Sequence, residues 1–264
     1  MLVSKTQFHP QEQINSQKKT IMKKILVALI VSSTVFETLG QNLKTVYMDL
    51  NHGQRFWNDP KRTVSGIGWD DDERIKYLNQ ELSKTLQSVN AEVYFLKNVI
   101  SYKEIKTANT LVLHAPSKKY TQEEIKAVQK YLEKGGSLLL VMEADYWTDL
   151  SKTNVNEIVA PYSLQYGQQS PDTLAGGYTM KGPLTSEELK VTYQHGRSVT
   201  GGTSFAFNAQ DDRPFGVYKT LESGGKIVLL GDAMSTMYMT EWKGVNDYQC
   251  QDFMTSIYAW LLEK

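Results

Sequence analysis

The sequence predicts a three-layer α/β protein built on a mostly parallel, doubly wound sheet with a loop-rich β insertion. Three observations carry that expectation. Strand and helix patterns alternate along the chain, their joints carry glycine, and residues 137–142 form a continuous apolar run of the kind found in strands covered on both faces. With 264 residues, 41% of them hydrophobic and 22% charged, the chain is long enough for one sizeable core and ordinary in composition. Its 29 basic residues balance 29 acidic ones, so no long-range field favours nucleic acid or an anionic membrane.

Taken in order, residues 1–21 are a polar extension without periodicity, and Met22 is an alternative start that would leave them untranslated. Residues 22–40 read as a signal peptide: Lys23 and Lys24, a short apolar run, then small and polar residues to Gly40. That run is too short to span a bilayer, so the expectation is an exported protein, periplasmic or secreted, with no membrane span after cleavage. Residues 41–264 then form a single domain. The lone Cys250 makes no intramolecular disulfide and is expected to be a small buried filler.

Within the domain, residues 45–50 alternate as a strand, and a polar stretch follows. Ile75, Leu78, Leu82, Leu86 and Val89 fall at helical spacing. Residues 92–96 and 109–114 read as strands, and Pro116 breaks the pattern. Thr121 opens a helix and Glu124 completes a capping box; the helix closes at Gly135-Gly136 before the buried strand 137–142. A short helix over 154–159, a Gly-, Thr- and Ser-rich insertion over 165–208, a strand over 226–230 and a closing helix over 252–262 complete the reading.

Ligands of such sheets bind beyond the carboxyl ends of the strands. That rule gathers Asn51, His52, Arg55 and Trp57 after the first strand and Ser117 after the third. It adds Glu143, Asp145 and Trp147 after the fourth, and Asp232 and Ser235 after the last. Aromatic rings stack on the apolar faces of sugars while amides and carboxylates take hydroxyls, so the set suits a polar ligand such as an oligosaccharide. Each residue also has a structural reading: His52 capping a turn, Asp232 bonding loop amides, Trp57 and Trp147 acting as apolar lids. The acids at 70–73 open a helix, where the dipole favours them, so no metal is expected; no cofactor motif is present.

The run from Leu113 through Thr121 and Glu124 to Gly135-Gly136 and Leu140 resembles the GIFT-type and DUF4350 domains, with Asn154, Asp49–Gly53 and Gly231-Asp232 fitting the same pattern. The resemblance implies a class I glutamine-amidotransferase-like, flavodoxin-like architecture. Enzymes of that class carry a cysteine at a strand-to-helix elbow. Here Ala115-Pro116-Ser117 occupies that joint and Cys250 lies elsewhere, so glutaminase chemistry is not expected. Similar domains bind carbohydrate or serve in assemblies, often near polysaccharide-degrading enzymes of Bacteroidetes. The resemblance therefore implies a non-catalytic exported accessory protein that binds an oligosaccharide or a polysaccharide-degrading enzyme. Two alternatives stay open: a hydrolase of glycans or their esters using His52 with Asp232 or Asp49, and an interaction module of an envelope transporter.

Overall fold

A computed structural model describes residues 43–54, 56–57, 71–171, 176–241 and 247–263. Residues 1–21, the stretch 22–40 read as a signal peptide, and Arg55 lie outside the described residues. Residues from Lys44 onward form one compact unit. Its strands are β1 (Lys44–Asp49), β2 (Ala91–Leu96), β3 (Thr110–His114), β4 (Ser137–Val141), β5 (Gln165–Gln169), β6 (Gly177–Thr179), β7 (Lys190–Val191), β8 (Arg197–Thr200), β9 (Thr203–Asn208), β10 (Pro214–Thr220) and β11 (Lys226–Leu230). The helices are α1 (Asp71–Ser88), α2 (Tyr102–Ile105), α3 (Gln122–Glu133), α4 (Val155–Val159) and α5 (Cys250–Leu262).

The main sheet has the order β2-β1-β3-β4-β11-β10-β9-β6-β7. From β2 to β11 every neighbouring pair is parallel, and beyond β11 every pair is antiparallel. The parallel half is the doubly wound sheet the sequence predicts. The Gly- and Thr-rich insertion does more than decorate it: β6, β7 and β9 extend the same sheet, while β5 and β8 pair with each other as a separate ribbon.

Alternation along the parallel strands separates two cores. Val46, Met48, Val112, Val141 and Leu230 face a layer made by Leu78, Leu82 and Leu86 of α1 with Phe253, Ile257 and Leu261 of α5. Leu111, Leu113, Leu138, Leu140 and Leu229 point the other way, onto Ile125, Val128 and Leu132 of α3 and Val155 and Ile158 of α4. Each fully buried leucine stabilises the fold by about 2 kcal/mol, which makes the two layers the main source of stability. The Gly-Gly joint after α3 has a steric cause. A Cβ on Gly136 would lie 2.2 Å from the Tyr131 ring, whose hydroxyl donates toward the carbonyls of Ala108 and Ser137, each at 3.2 Å. At the other end of the sheet, a Cβ on Gly231 would meet the Arg197 carbonyl oxygen at 2.0 Å, so only glycine lets β8 cross there.

Candidate functional site

The strand order reverses between β1 and β3, the switch point where sheets of this kind usually open a crevice. Here side chains fill it. Asp49 ends β1, and its Oδ1 accepts the Asn51 amide at 2.9 Å. Its Oδ2 lies 2.7 Å from His52 Nδ1 and accepts the Tyr120 hydroxyl at 3.2 Å. The other ring nitrogen of His52, Nε2, lies 3.2 Å from Glu124 Oε1, and the imidazole stacks on Tyr120 with ring centres 3.9 Å apart. The His52 carbonyl accepts the amides of Ser117 and Lys118, while Ser117 Oγ donates to the Gly53 carbonyl. Asp49, His52 and Glu124 are all buried.

Burial alone would lower the His52 pKa, but the hydrogen bond and charge of Asp49, with those of Glu124, outweigh it and raise the value. Glu124 moves the opposite way. Burial would raise it, yet the Thr121 and Ile100 amides and the His52 charge hold it below the usual carboxylate range. The group is an ion-paired clasp between the β1 loop and the start of α3. With both ring nitrogens committed to carboxylates, His52 has no free position for proton transfer to a ligand.

At the end of β3, Ala115 adopts a left-handed backbone, φ 43°, at the joint where an elbow nucleophile would stand. Its neighbour His114 is buried, and burial lowers its pKa to about 3, so the imidazole is neutral. Thr236 Oγ1 donates to the Ala233 carbonyl at 2.7 Å, which leaves His114 Nε2 to donate to Thr236 Oγ1 at 2.6 Å. The Phe56 and Trp57 rings meet the His114 ring edge-on at 5.6 and 5.8 Å.

A second polar knot joins the ends of β4 and β11. The Glu143 carboxyl accepts the amides of Ala144 and Ala233, each at 2.8 Å. Asp232 accepts the Met234 amide at 2.8 Å and the Gln194 amide at 2.6 Å. Burial, and then the Asp232 charge, push the Glu143 pKa well above the usual carboxylate range. Arg197 is buried below them and donates to the carbonyls of Glu143 and Thr148, both at 2.7 Å, and to Asp145. Ser235 Oγ donates to the Asp232 carbonyl at 3.4 Å.

Between this knot and the first turns of α1 lies a cavity of about 660 Å³. Phe56, Trp147, Leu78 and three methionines, Met234, Met237 and Met239, supply apolar wall; Arg74, Glu143, Gln194 and His195 supply the polar part. Tyr77 and Tyr146 also line it and are 44% and 79% exposed, an unusual amount of aromatic surface in contact with solvent. Trp147 packs against both Phe56 and Tyr146, at 5.2 and 4.9 Å. By holding the Gln194 amide, Asp232 fixes the turn that carries His195, which has φ 58°.

The residues expected to share one crevice thus fall into groups. Glu143 and Trp147 line the cavity. Asn51, His52 and Ser117 belong to the clasp, Trp57 is buried beside His114, Asp232 and Ser235 lie within the second knot, and Asp145 pairs with Arg197. Sequence reasoning passed over Arg74, Tyr77, His195 and the methionines. Tyr77 had a signal, a large aromatic off the apolar stripe of α1; the turn at His195 had none beyond the following glycine. Cys250 is the buried filler expected, its thiol donating to the Met239 carbonyl at 2.9 Å. Among the described residues no group of three or more His, Cys, Asp or Glu side chains is placed to hold a metal ion, and no helix is long and apolar enough to cross a membrane.

Residues 69–171 match the family model of the IFT52 GIFT domain. Among solved structures, the chain is similar to the mmIFT52 N-terminal domain, with a TM-score of 0.61 and 16% identity over 83% of this chain and 97% of that one. It is also similar to a cytoplasmic protein of Salmonella typhimurium, with a TM-score of 0.52 and 11% identity over 83% and 98% of the two chains. No curated protein matches it by sequence. The fold is therefore of the GIFT type, a three-layer α/β arrangement.

Proposed function

We propose that the chain is a non-catalytic binding module, exported as an accessory to glycan processing, and that its cavity receives the apolar side chains of a partner protein. The observation that carries this reading is the cavity wall. Phe56, Trp147 and the three methionines make an adaptable apolar surface, and the exposed rings of Tyr77 and Tyr146 stand beside it. Aromatic residues and methionine are enriched at protein interfaces, and methionine repacks around varied partners. Three groups able to do acid–base work are held by protein partners: His52 by two carboxylates, His114 by Thr236, and Glu143 by two backbone amides. This favours binding over the hydrolase reading, in which His52 would act as acid or base. The export expectation rests on residues 22–40 and the glycan context on the resemblance to DUF4350 domains.

Photo-crosslinking in the producing cell tests the reading, with Tyr146→p-benzoylphenylalanine as the probe position. The expected result is one discrete protein adduct that disappears when Trp147→Ala is added. Absence of any protein adduct, or an adduct indifferent to Trp147→Ala, would remove the cavity as a partner site.

A further inference from the structure

The main sheet ends at β7 on one side and at β2 on the other, and the two edges differ. Along β7, Gln249 donates its amide to the Lys190 carbonyl at 2.7 Å, and its Oε1 accepts the Lys190 amide at 3.0 Å. β2 has no such cover. Lys44 and Leu50 donate to the carbonyls of Asn90 and Leu96, so the even-numbered residues of β2 bond to β1. The amides and carbonyls of Ala91, Val93 and Phe95 therefore point outward, and among the described residues no group bonds to them.

An open edge is a template for a further strand, and proteins usually blunt it with lysine, proline, a bulge or a very short strand. β2 uses none of these devices. It runs Ala91-Glu92-Val93-Tyr94-Phe95-Leu96, rich in strand-forming residues, and its register with β1 is unbroken over that whole length. Ala91, Val93 and Phe95 turn toward the α1 layer. On the other face Tyr94 is 44% exposed. Its ring lies 5.5 Å from that of Tyr47, and its hydroxyl donates to Glu92, the one charged side chain of the strand.

We infer that β2 is a homodimer interface, at which two copies of the chain pair antiparallel about a dyad through Val93. The occupant follows from self-complementarity. With the dyad there, Val93 faces its own copy and Ala91 faces Phe95 of the second copy, small against large. All of these are hydrogen-bonded pairs, which exchange both of their bonds. Between them Glu92 stands directly opposite Tyr94 of the second copy, at the closer non-hydrogen-bonded spacing, and so faces a hydroxyl rather than a like charge. The same charge selects the register. A dyad moved to Glu92 would oppose the two carboxylates, and one moved to Tyr94 would give up a hydrogen-bonded pair. One paired strand buries less than a standard interface, so the dimer is of micromolar strength rather than obligate. β2 contributes no residue to the cavity, and the inference does not depend on partner binding there.

Sedimentation velocity of the purified chain over a micromolar concentration series tests the inference. A monomer–dimer equilibrium is expected. Tyr94→Glu, which sets like charges directly opposite each other twice, should weaken it about tenfold. Tyr94 is exposed, so the variant should keep the far-ultraviolet circular dichroism of the parent. Disulfide trapping reads the register. Glu92→Cys/Tyr94→Cys should give a covalent dimer under mild oxidation, whereas Glu92→Cys alone should not, because its diagonal neighbour lies beyond disulfide reach. Cys250 is buried and adds no background. Trp147→Ala should leave the dimer unchanged. A chain that stays monomeric throughout would overturn self-pairing and leave the edge to an extended segment of another protein. A dimer equally strong in Tyr94→Glu, or trapped equally well by the single cysteine, would place the interface elsewhere and overturn it too.

Discussion

Below its raised pKa, the His52 ring carries a charge between two buried carboxylates at the end of β1, and removing it leaves Asp49 and Glu124 without that shared counter-charge. Breaking a buried ion pair from one side typically costs about 3–5 kcal/mol. His52→Gln should therefore destabilise the protein by roughly 3 kcal/mol in mildly acidic buffer, measured by urea unfolding. The sign of the pH dependence follows from the raised His52 pKa. A group raised above its unfolded value contributes fully below that value and loses the contribution as pH rises through the folded one. The gap between parent and variant should narrow in alkaline buffer, and a gap that stays constant would show that the clasp is not ionic. His52 was legible as an unusual residue after a strand. Its partner Glu124 was legible only as a capping residue, because nothing local says that the β1 loop and the start of α3 meet.

At the scale of the element, α3 joins a readable signal to one that is hidden. Thr121 Oγ1 accepts the Glu124 amide at 3.2 Å and Glu124 Oε2 accepts the Thr121 amide at 2.9 Å, the capping box the sequence announces. Glu124 Oε1 also accepts the Ile100 amide at 2.9 Å and faces His52, so one carboxylate ties α3 to α2's approach and to the clasp. Thr121→Ala should cost about 1 kcal/mol, the usual value of a lost cap. Glu124→Ala should cost about 3 kcal/mol, and a double-mutant cycle with His52→Gln should give a coupling of about 1 kcal/mol or more, whereas Thr121 with a residue of the far core should be additive. The parallel strands were legible because continuous or alternating apolar runs mark burial on two faces. Two elements were missed: the four-residue α2 is too short for periodicity, and β10 begins at a proline and contains Gly216, which weaken any strand pattern. The insertion strands β6 and β7 are short, and they join the main sheet only through β9, which pairs with β10; no local pattern states that chain of pairings.

Across the whole molecule, four buried titratable groups oppose one another in pairs and shape stability against pH. His52 and Glu143, both raised, contribute most in acid and lose that contribution as pH rises through their folded values. Glu124 and His114, both lowered, do the reverse. The pairs do not act over the same range. Glu124 loses its contribution only below the ordinary carboxylate value of 4.5, whereas His114 begins to lose it below 6.5 and continues to about 3. In the window between 6.5 and 4.5, the unfolded chain protonates this histidine while the folded one excludes the proton. Stability should therefore fall by up to roughly 1.4 kcal/mol per pH unit there, less whatever Glu143 returns; His52, raised above 6.5, already contributes in full across this window. Thermal melts across that window should show a declining midpoint in the parent and a flatter one in His114→Gln, which keeps a donor for Thr236 but binds no proton. His52→Gln should leave this acid limb standing and change the alkaline one instead. An acid limb equally steep in parent and His114→Gln would mean that His114 reaches solvent and titrates freely, and the neutral imidazole at the end of β3 would have to be abandoned.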